Sequence, residues 1–365
     1  MVIFGGMEKW RQSIPVWTIA APVVALLMFL CSNFFDGTIM DLLLTGSLIA
    51  AVLAGVHHAE VVAHKVGEPY GTLILAFAIT TIEVSLIVSL MIAGGESTHA
   101  LARDTVFAAV MIIITGIIGI CLVSGGVRHH EQSFGKYGVN AALVTLTAIC
   151  VLTLILPNYT TTVTGPKYNN SQLIFVGIIS LILYAVFVLV QTQRHREYFL
   201  PANAGEDEHA EIPSRKVTLL SLLLLIISLA MVVMLAKKLS PTIEGLLVDM
   251  GAPQSLLGVI IALVILLPEG MAALKAAKQN RLQTSLNLAL GSALASIGLT
   301  IPAVAIVSIY ADLPVTLGID AKSTLLLVLS LFSVSLSFNT GRTTIMQGVV
   351  LMVLFAVYIF TIIVP

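Results

Sequence analysis

Runs of about 20 mainly apolar residues, separated by short polar breaks, recur along this chain. That length is what an α-helix needs to cross the hydrocarbon core of a bilayer. The runs fall at 15–35, 38–62, 70–93, 103–124, 139–157 and 171–192, then at 217–238, 254–277, 284–310, 322–338 and 344–364. The pattern predicts an all-α integral membrane protein with 11 transmembrane helices. The second run is expected to continue as an amphipathic helix through HHAEVVAHKV, and the seventh through SPTIEGLLVDM to about residue 250. Helix is the expected element because an open sheet cannot satisfy its backbone in hydrocarbon, and the runs are twice as long as barrel strands. The opening MVIFGGMEKWRQSIP imitates a signal peptide, but no small-x-small cleavage site follows, so the run after it reads as the first membrane helix.

The only long hydrophilic connector is 194–216, RHREYFLPANAGEDEHAEIPSRK. It divides the chain into an N-terminal region with one extra helix (1–37), a first five-helix repeat (38–193) and a second (217–365). Five is odd, so the second repeat must enter the membrane inverted relative to the first, as in many secondary transporters. With the N-terminus inside, Lys9, Arg11, Lys65, Arg128, Lys136, Arg194, Arg196, Arg215, Lys216, Lys275, Lys278, Arg281 and Arg342 lie on the inner side. Arg103, Lys167, Lys237, Lys238 and Lys322 lie on the outer side. The positive-inside rule therefore favours a cytoplasmic N-terminus and an external or periplasmic C-terminus in a bacterial inner membrane.

The composition agrees: 58% of residues are hydrophobic, 10% are charged, and the mean hydropathy is +1.03. Soluble domains carry roughly 25% charged residues. A net charge of −1 and the lack of a basic arm give no reason to expect a nucleic-acid partner. Cys31, Cys121 and Cys150 are scattered in apolar stretches without metal-ligand spacing and read as packing residues.

The two halves share a pattern of polar residues. Glu60 is followed by Gly67, Pro69 and Glu83; Glu244 is followed by Gly251, Pro253 and Glu269. The step from glutamate to glycine is seven residues in both, and from glycine to proline two. Glu83 and Glu269 each sit inside a long apolar segment, where an ionisable group costs about 2.5–3.5 kcal/mol on insertion scales. Matching carboxylates at such depth suggest a cation pathway, although either alone could be a structural carboxylate bonded to a neighbouring helix. Thr80 lies one turn before Glu83, with Thr81 and Ser85 nearby; Glu269 follows Pro268, which offers no N–H to the carbonyl of Val264. Carboxylates, hydroxyls and freed carbonyls are hard ligands suited to calcium or sodium. Repulsion and desolvation make paired carboxylates hold protons when no cation is present, so cation and proton compete. The segment 287–302 adds Asn287, Gly291, Ser292, Ser296 and Thr300, whose oxygens could complete a site, although small residues in a membrane helix more often serve packing. The matching helix of the first half has Ala108 and Ala109 where a Gly–Ser pair would be expected.

Glu60 and Glu244 lie nearer helix ends and are entrance candidates; a solvated interfacial position suits them equally. His57, His58 and His64 titrate near neutral pH when unperturbed. His129, His130 and Glu131 read as a solvated loop, and Glu206, Asp207, Glu208 and Glu211 as a solubilising patch that could instead sense calcium. The chain has no HExxH, GxSxG or Walker A motif and no aspartate pair in a membrane-protease context, so no enzyme is expected.

GEPYGTLILAFAITTIEVSL, LLPEGMAALKAA and NLALGSALASIGLTIPAV resemble the two signature repeats of the calcium/cation antiporter superfamily. The nearest branch is the cation/proton exchangers, and within it the bacterial sodium(potassium)/calcium–proton type. The resemblance runs through nearly the whole chain. It implies that the first-repeat glutamate is Glu83, the second-repeat glutamate Glu269, the upstream glutamate Glu60, and the Gly–Ser pair Gly291 and Ser292. It also implies that the two glutamates alternately hold a metal ion and protons as helices slide between inward- and outward-open states. Calcium-selective members carry Gly-Asn shortly before each glutamate and a glutamine after the second Gly–Ser; this chain has Ile79-Thr80, Leu266-Leu267-Pro268 and Ala295. Fewer amide oxygens bring sodium or potassium transport into the expectation beside calcium.

The expected function is a secondary active antiporter that exports calcium, sodium or potassium in exchange for protons, with no cofactor beyond the transported ions. Its partners are inorganic cations, protons and the lipid bilayer; a homo-oligomer is compatible with this reading. The alternative is a passive cation channel, which would not couple ion flux to protons.

Overall fold

The computed structural model describes residues 15–35, 37–67, 70–94, 99–200, 213–249, 251, 253 and 255–364. Its helices are α1 (Val16–Cys31), α2 (Thr38–Val66), α3 (Tyr70–Gly94), α4 (Leu101–His129), α5 (Lys136–Tyr159) and α6 (Asn170–Arg194). They continue with α7 (Arg215–Asp249), α8 (Ser255–Lys278), α9 (Leu282–Tyr310), α10 (Ala321–Phe338) and α11 (Ile345–Ile363). Among the described residues nine helices are long and apolar enough to cross a membrane; Val16–Cys31 and the stretch Ala76–Ile92 of α3 are shorter apolar helices. The amphipathic continuations of the second and seventh runs are present, as α2 reaches Val66 and α7 reaches Asp249.

The chain forms two compact units, and each draws helices from both halves of the sequence. The first contains α1, α2, α3 and α7. Gly55 is the point where three of these helices meet. A Cβ there would lie 3.3 Å from Ile82 Cδ1 of α3 and 3.3 Å from Ser228 Cβ of α7. Ala59, Ala78 and Leu225 pack on the same seam. The duplicated glycines have a shared backbone role. Gly67 ends α2 at φ 78° and Gly251 follows α7 at φ 59°, and a Cβ at either would meet nothing within 4 Å. The left-handed conformation, not crowding, asks for glycine at both places.

In α1, Pro22 has no N–H to give the carbonyl of Thr18. The buried ring of His58 on α2 lies beside that carbonyl, with Nε2 3.0 Å from the oxygen. The proline thus leaves an acceptor that the neighbouring helix satisfies.

The second unit contains α4–α6 and α8–α11. Helices α4 and α8 run parallel: a Cβ on Gly258 would approach the Asp104 carbonyl carbon to 2.8 Å, and one on Gly270 would approach Ile117 Cδ1 to 3.1 Å. The stretch of α4 between these contacts contains the π-helical turn Ile112–Ile117.

Three helices of this unit begin with side-chain caps: Asn169 and Gln172 form a capping box on α6, Asp320 accepts from Ser323 N on α10, and Thr344 with Gln347 opens α11. At one end, Arg103 donates to Gly318 O at 3.1 Å, Asn158 Nδ2 to Ile319 O at 2.6 Å, and Lys322 to Thr361 O at 2.7 Å. Outside the spans at this end, burial pushes the Tyr168 phenol up to about 12. At the opposite end, two strands pair antiparallel, β1 (Glu131–Ser133) with β2 (Arg342–Thr344). Between them the Arg342 guanidinium donates to Glu131 at 3.1 Å; of the residues expected as a solvated loop, His129 ends α4, His130 is an exposed bend and the exposed Glu131 opens β1. Gln132 is buried and donates to Ala277 O at 2.9 Å and Asn280 Oδ1 at 3.0 Å, while His129 Nε2 lies 3.0 Å from Lys278 O. Arg128, Lys136, Arg194, Arg196, Lys275, Lys278, Arg281 and Arg342 belong to this basic end; Arg103, Lys167 and Lys322 belong to the other.

Candidate cation and proton site

Glu83 lies in α3 and is 3% exposed, one residue after the fully packed Ile82 that seats against Gly55. Thr80 is buried one turn earlier on the same face. Thr81 is turned back on its own helix, its hydroxyl donating to Phe77 O at 2.7 Å. The carbonyl of Ser85 accepts from Ser89 Oγ at 2.6 Å. Thr81, Ser85 and Ser89, spaced four apart, form a row of hydroxyls on the side of α3 away from Glu83.

Glu269 lies in α8 and is half-buried. Its Oε2 accepts a hydrogen bond from Ser292 Oγ of α9 at 2.8 Å. Its neighbour Gly270 lets Ile117 of the π-helical turn approach, which fixes the rotation of this stretch of α8. The α-helix continues across Pro268, so the carbonyl of half-buried Val264 lacks its usual i+4 donor and is available to a ligand. Gly291 has open space where a Cβ would stand, and Ser296 and Thr300 are buried farther along α9.

Among the described residues no group of three or more His, Cys, Asp and Glu side chains is gathered as a metal cage. A cation held by either carboxylate would take its further ligands from hydroxyls, carbonyls and water, which is the ligand chemistry of hard cations.

The other expected residues lie elsewhere. Glu60 is exposed, with Oε2 4.0 Å from His57 Nδ1, and the His57 ring stands beside Trp17 at 6.2 Å. His58 serves the Thr18 carbonyl. Glu244 lies on α7, but its side chain is outside the described residues, as are Pro69 and the acidic run 206–211. Asn287 is engaged at the basic end of α9, five residues before Ser292. Its Oδ1 accepts from Gln283 Nε2 at 2.9 Å and its Nδ2 donates to Phe199 O at 2.6 Å. Sequence reasoning passed over Gln283; its i, i+4 spacing with Asn287 and then Gly291 was the available signal.

A family profile described as sodium/calcium exchanger protein matches residues 36–193 and 220–364. Over 350 residues the chain is 43% identical to y4hA of Sinorhizobium fredii, named for ionic transport, with 95% of each chain covered. It is 35% identical over 327 residues to the sodium-potassium/proton antiporter ChaA of Escherichia coli, with 88% of each covered. Among solved structures it is similar to the H+/Ca2+ exchanger CAX at a TM-score of 0.72 and 16% identity, covering 94% of this chain and 87% of that one. Native YfkE aligns at 0.71 and 18% identity, over 96% and 99%. The two structures share the fold; the profile and the two sequence relatives carry the assignment. The chain belongs to the sodium/calcium exchanger protein family.

Proposed function

We propose that the protein is a secondary active antiporter of a bacterial inner membrane that exports calcium, sodium or potassium in exchange for protons. In this reading Glu83 and Glu269 alternately bind the cation and protons. Thr80, Thr81, Ser85, the Val264 carbonyl, Gly291, Ser292 and Ser296 support them, and Glu60 and Glu244 stand toward the entrance. The observation that carries the reading is the Ser292–Glu269 hydrogen bond at one of two repeat-matched carboxylates. A half-buried carboxylate with a hydroxyl donor and a proline-freed carbonyl one turn away can exchange a proton for a hard cation. The reading includes eleven membrane crossings as two inverted five-helix repeats after one extra helix. The basic end of the second unit faces the cytoplasm by the positive-inside rule, which puts the N-terminus inside and the C-terminus outside.

The test uses everted vesicles or proteoliposomes with an imposed pH gradient, to which calcium, sodium and potassium are added separately. Dissipation by one or more cations, lost in Glu83→Gln and Glu269→Gln, is the expected result and ranks the substrates. Cation flux that ignores the pH gradient would mark a passive channel and overturn the proposal.

A further inference from the structure

We propose that Asn287 is a positioning residue for the Ser292–Glu269 pair, and that the first turn of the central connector acts on that pair through it. The inference rests on the reading of Glu269 as a cation and proton site.

Three hydrogen bonds form a relay at the basic end of α9. The main-chain N–H of Gly135 donates to Gln283 Oε1 at 2.6 Å, Gln283 Nε2 donates to Asn287 Oδ1, and Asn287 Nδ2 donates to the carbonyl of Phe199. Each amide uses both its oxygen and its nitrogen, so each has a defined orientation. The relay ties α9 to the approach of α5 on one side and, on the other, to the first residues after α6. Those residues are held closely. Arg196–Tyr198 form a 3-10 turn, and the Tyr198 carbonyl lies where a Cβ on Gly138 would approach to 2.5 Å. Phe199 is buried, edge-on to Phe187 at 5.8 Å, and His195 stacks on Tyr198 at 4.9 Å.

A crevice runs between α5, α6 and α9 with Ala142, Gln191 and Gly291 in its wall, and nothing stands within 4 Å of a Cβ placed on Gly291. Leu286, Leu290, Ala293 and Leu294 pack this stretch of α9 closely, and the relay adds a directional tie on the face that carries Asn287 and Gly291. Five residues separate Asn287 from Ser292, about 7.5 Å along the axis. A small rotation at Asn287 carries through this stiff stretch to Ser292 Oγ, whose bond to Glu269 is directional. Asn287 thereby serves the site through helix orientation, its one side-chain oxygen already accepting from Gln283.

The test compares apparent KM for the exchanged cation with turnover at saturation, using the purified full chain in proteoliposomes and calcium, sodium or potassium as the probe. Three variants are used: Asn287→Ala, Gly138→Ala and Ser292→Ala. Gly138→Ala displaces the Tyr198 carbonyl and the turn beside it without touching α9, so it decides the matter if Asn287→Ala fails to accumulate. The expected result is a KM raised about tenfold in all three with turnover kept within about twofold, the low end of what outer-shell partners contribute. KM raised in Ser292→Ala but unchanged in Asn287→Ala and Gly138→Ala would overturn the positioning role and leave the site reading intact. KM unchanged in Ser292→Ala as well would overturn both.

Discussion

Ser292 donates its hydroxyl proton to Glu269 Oε2 at 2.8 Å, joining α8, which carries the carboxylate, to α9, the helix that follows it. A hydrogen bond to a charged partner is worth about 1.5–3 kcal/mol, so its loss is visible in cation binding. Ser292→Ala is expected to weaken apparent cation affinity roughly tenfold or more, while Ser292→Thr, which keeps the hydroxyl, stays near the parent. Cation titrations of exchange in proteoliposomes distinguish the two.

Neutral isosteres at the two carboxylates separate assembly from transport. Glu83→Gln and Glu269→Gln remove a charge from an apolar helix, and both proteins are expected to insert and fold normally. Exchange is expected to fall to background in each. Size-exclusion profiles with pH-gradient dissipation in everted vesicles read both properties; wild-type exchange in either variant would remove that glutamate from the mechanism.

The Thr18 carbonyl, left without a donor by Pro22 and reached by His58, gives a cycle with a predicted sign. His58→Leu leaves a buried acceptor unmet and is expected to cost about 1–3 kcal/mol. Pro22→Ala returns an intrahelical N–H to that carbonyl, so His58→Leu should cost less in the Pro22→Ala background. Thermal unfolding in detergent of the four proteins gives the coupling. Equal losses in both backgrounds would mean that His58 contributes by packing alone.

Parallel packing of α4 on α8 relies on Gly258, where an added methyl would come within 2.8 Å of the Asp104 main chain. Main chain cannot step aside as a flexible side chain can. Gly258→Ala is therefore expected to destabilise the second unit by about 1–3 kcal/mol through overpacking. Gly291→Ala, which meets open space on the same measure, should unfold at nearly the parent temperature.

What could be read from the sequence follows from the range of the forces involved. The apolar runs showed the helices because burial in lipid is written locally, and the amphipathic tails of α2 and α7 were legible for the same reason. The paired spacing of Glu60–Gly67 and Glu244–Gly251 showed a pattern common to the two halves, but the positive φ of both glycines after long helices is visible only in the structure. The relay of Gln283, Asn287 and Phe199 was not legible, because its last partner is 88 residues distant and is a main-chain oxygen. The strand pair 131–133 with 342–344 was equally hidden: three polar residues in a short connector carry no alternation long enough to announce a strand. The π-helical turn in α4 has no local signature at all.

That strand pair also sets an order of events at the ribosome. Glu131 and Arg342 are separated by 211 residues, so at 5–20 residues per second the first strand waits about 10–40 seconds for the second to be made. Gln132 gains its acceptors on Ala277 and Asn280 earlier, when the α8–α9 turn arrives. The basic end of the second unit is thus closed in two stages during synthesis, and it is sealed only when the last helix hairpin emerges.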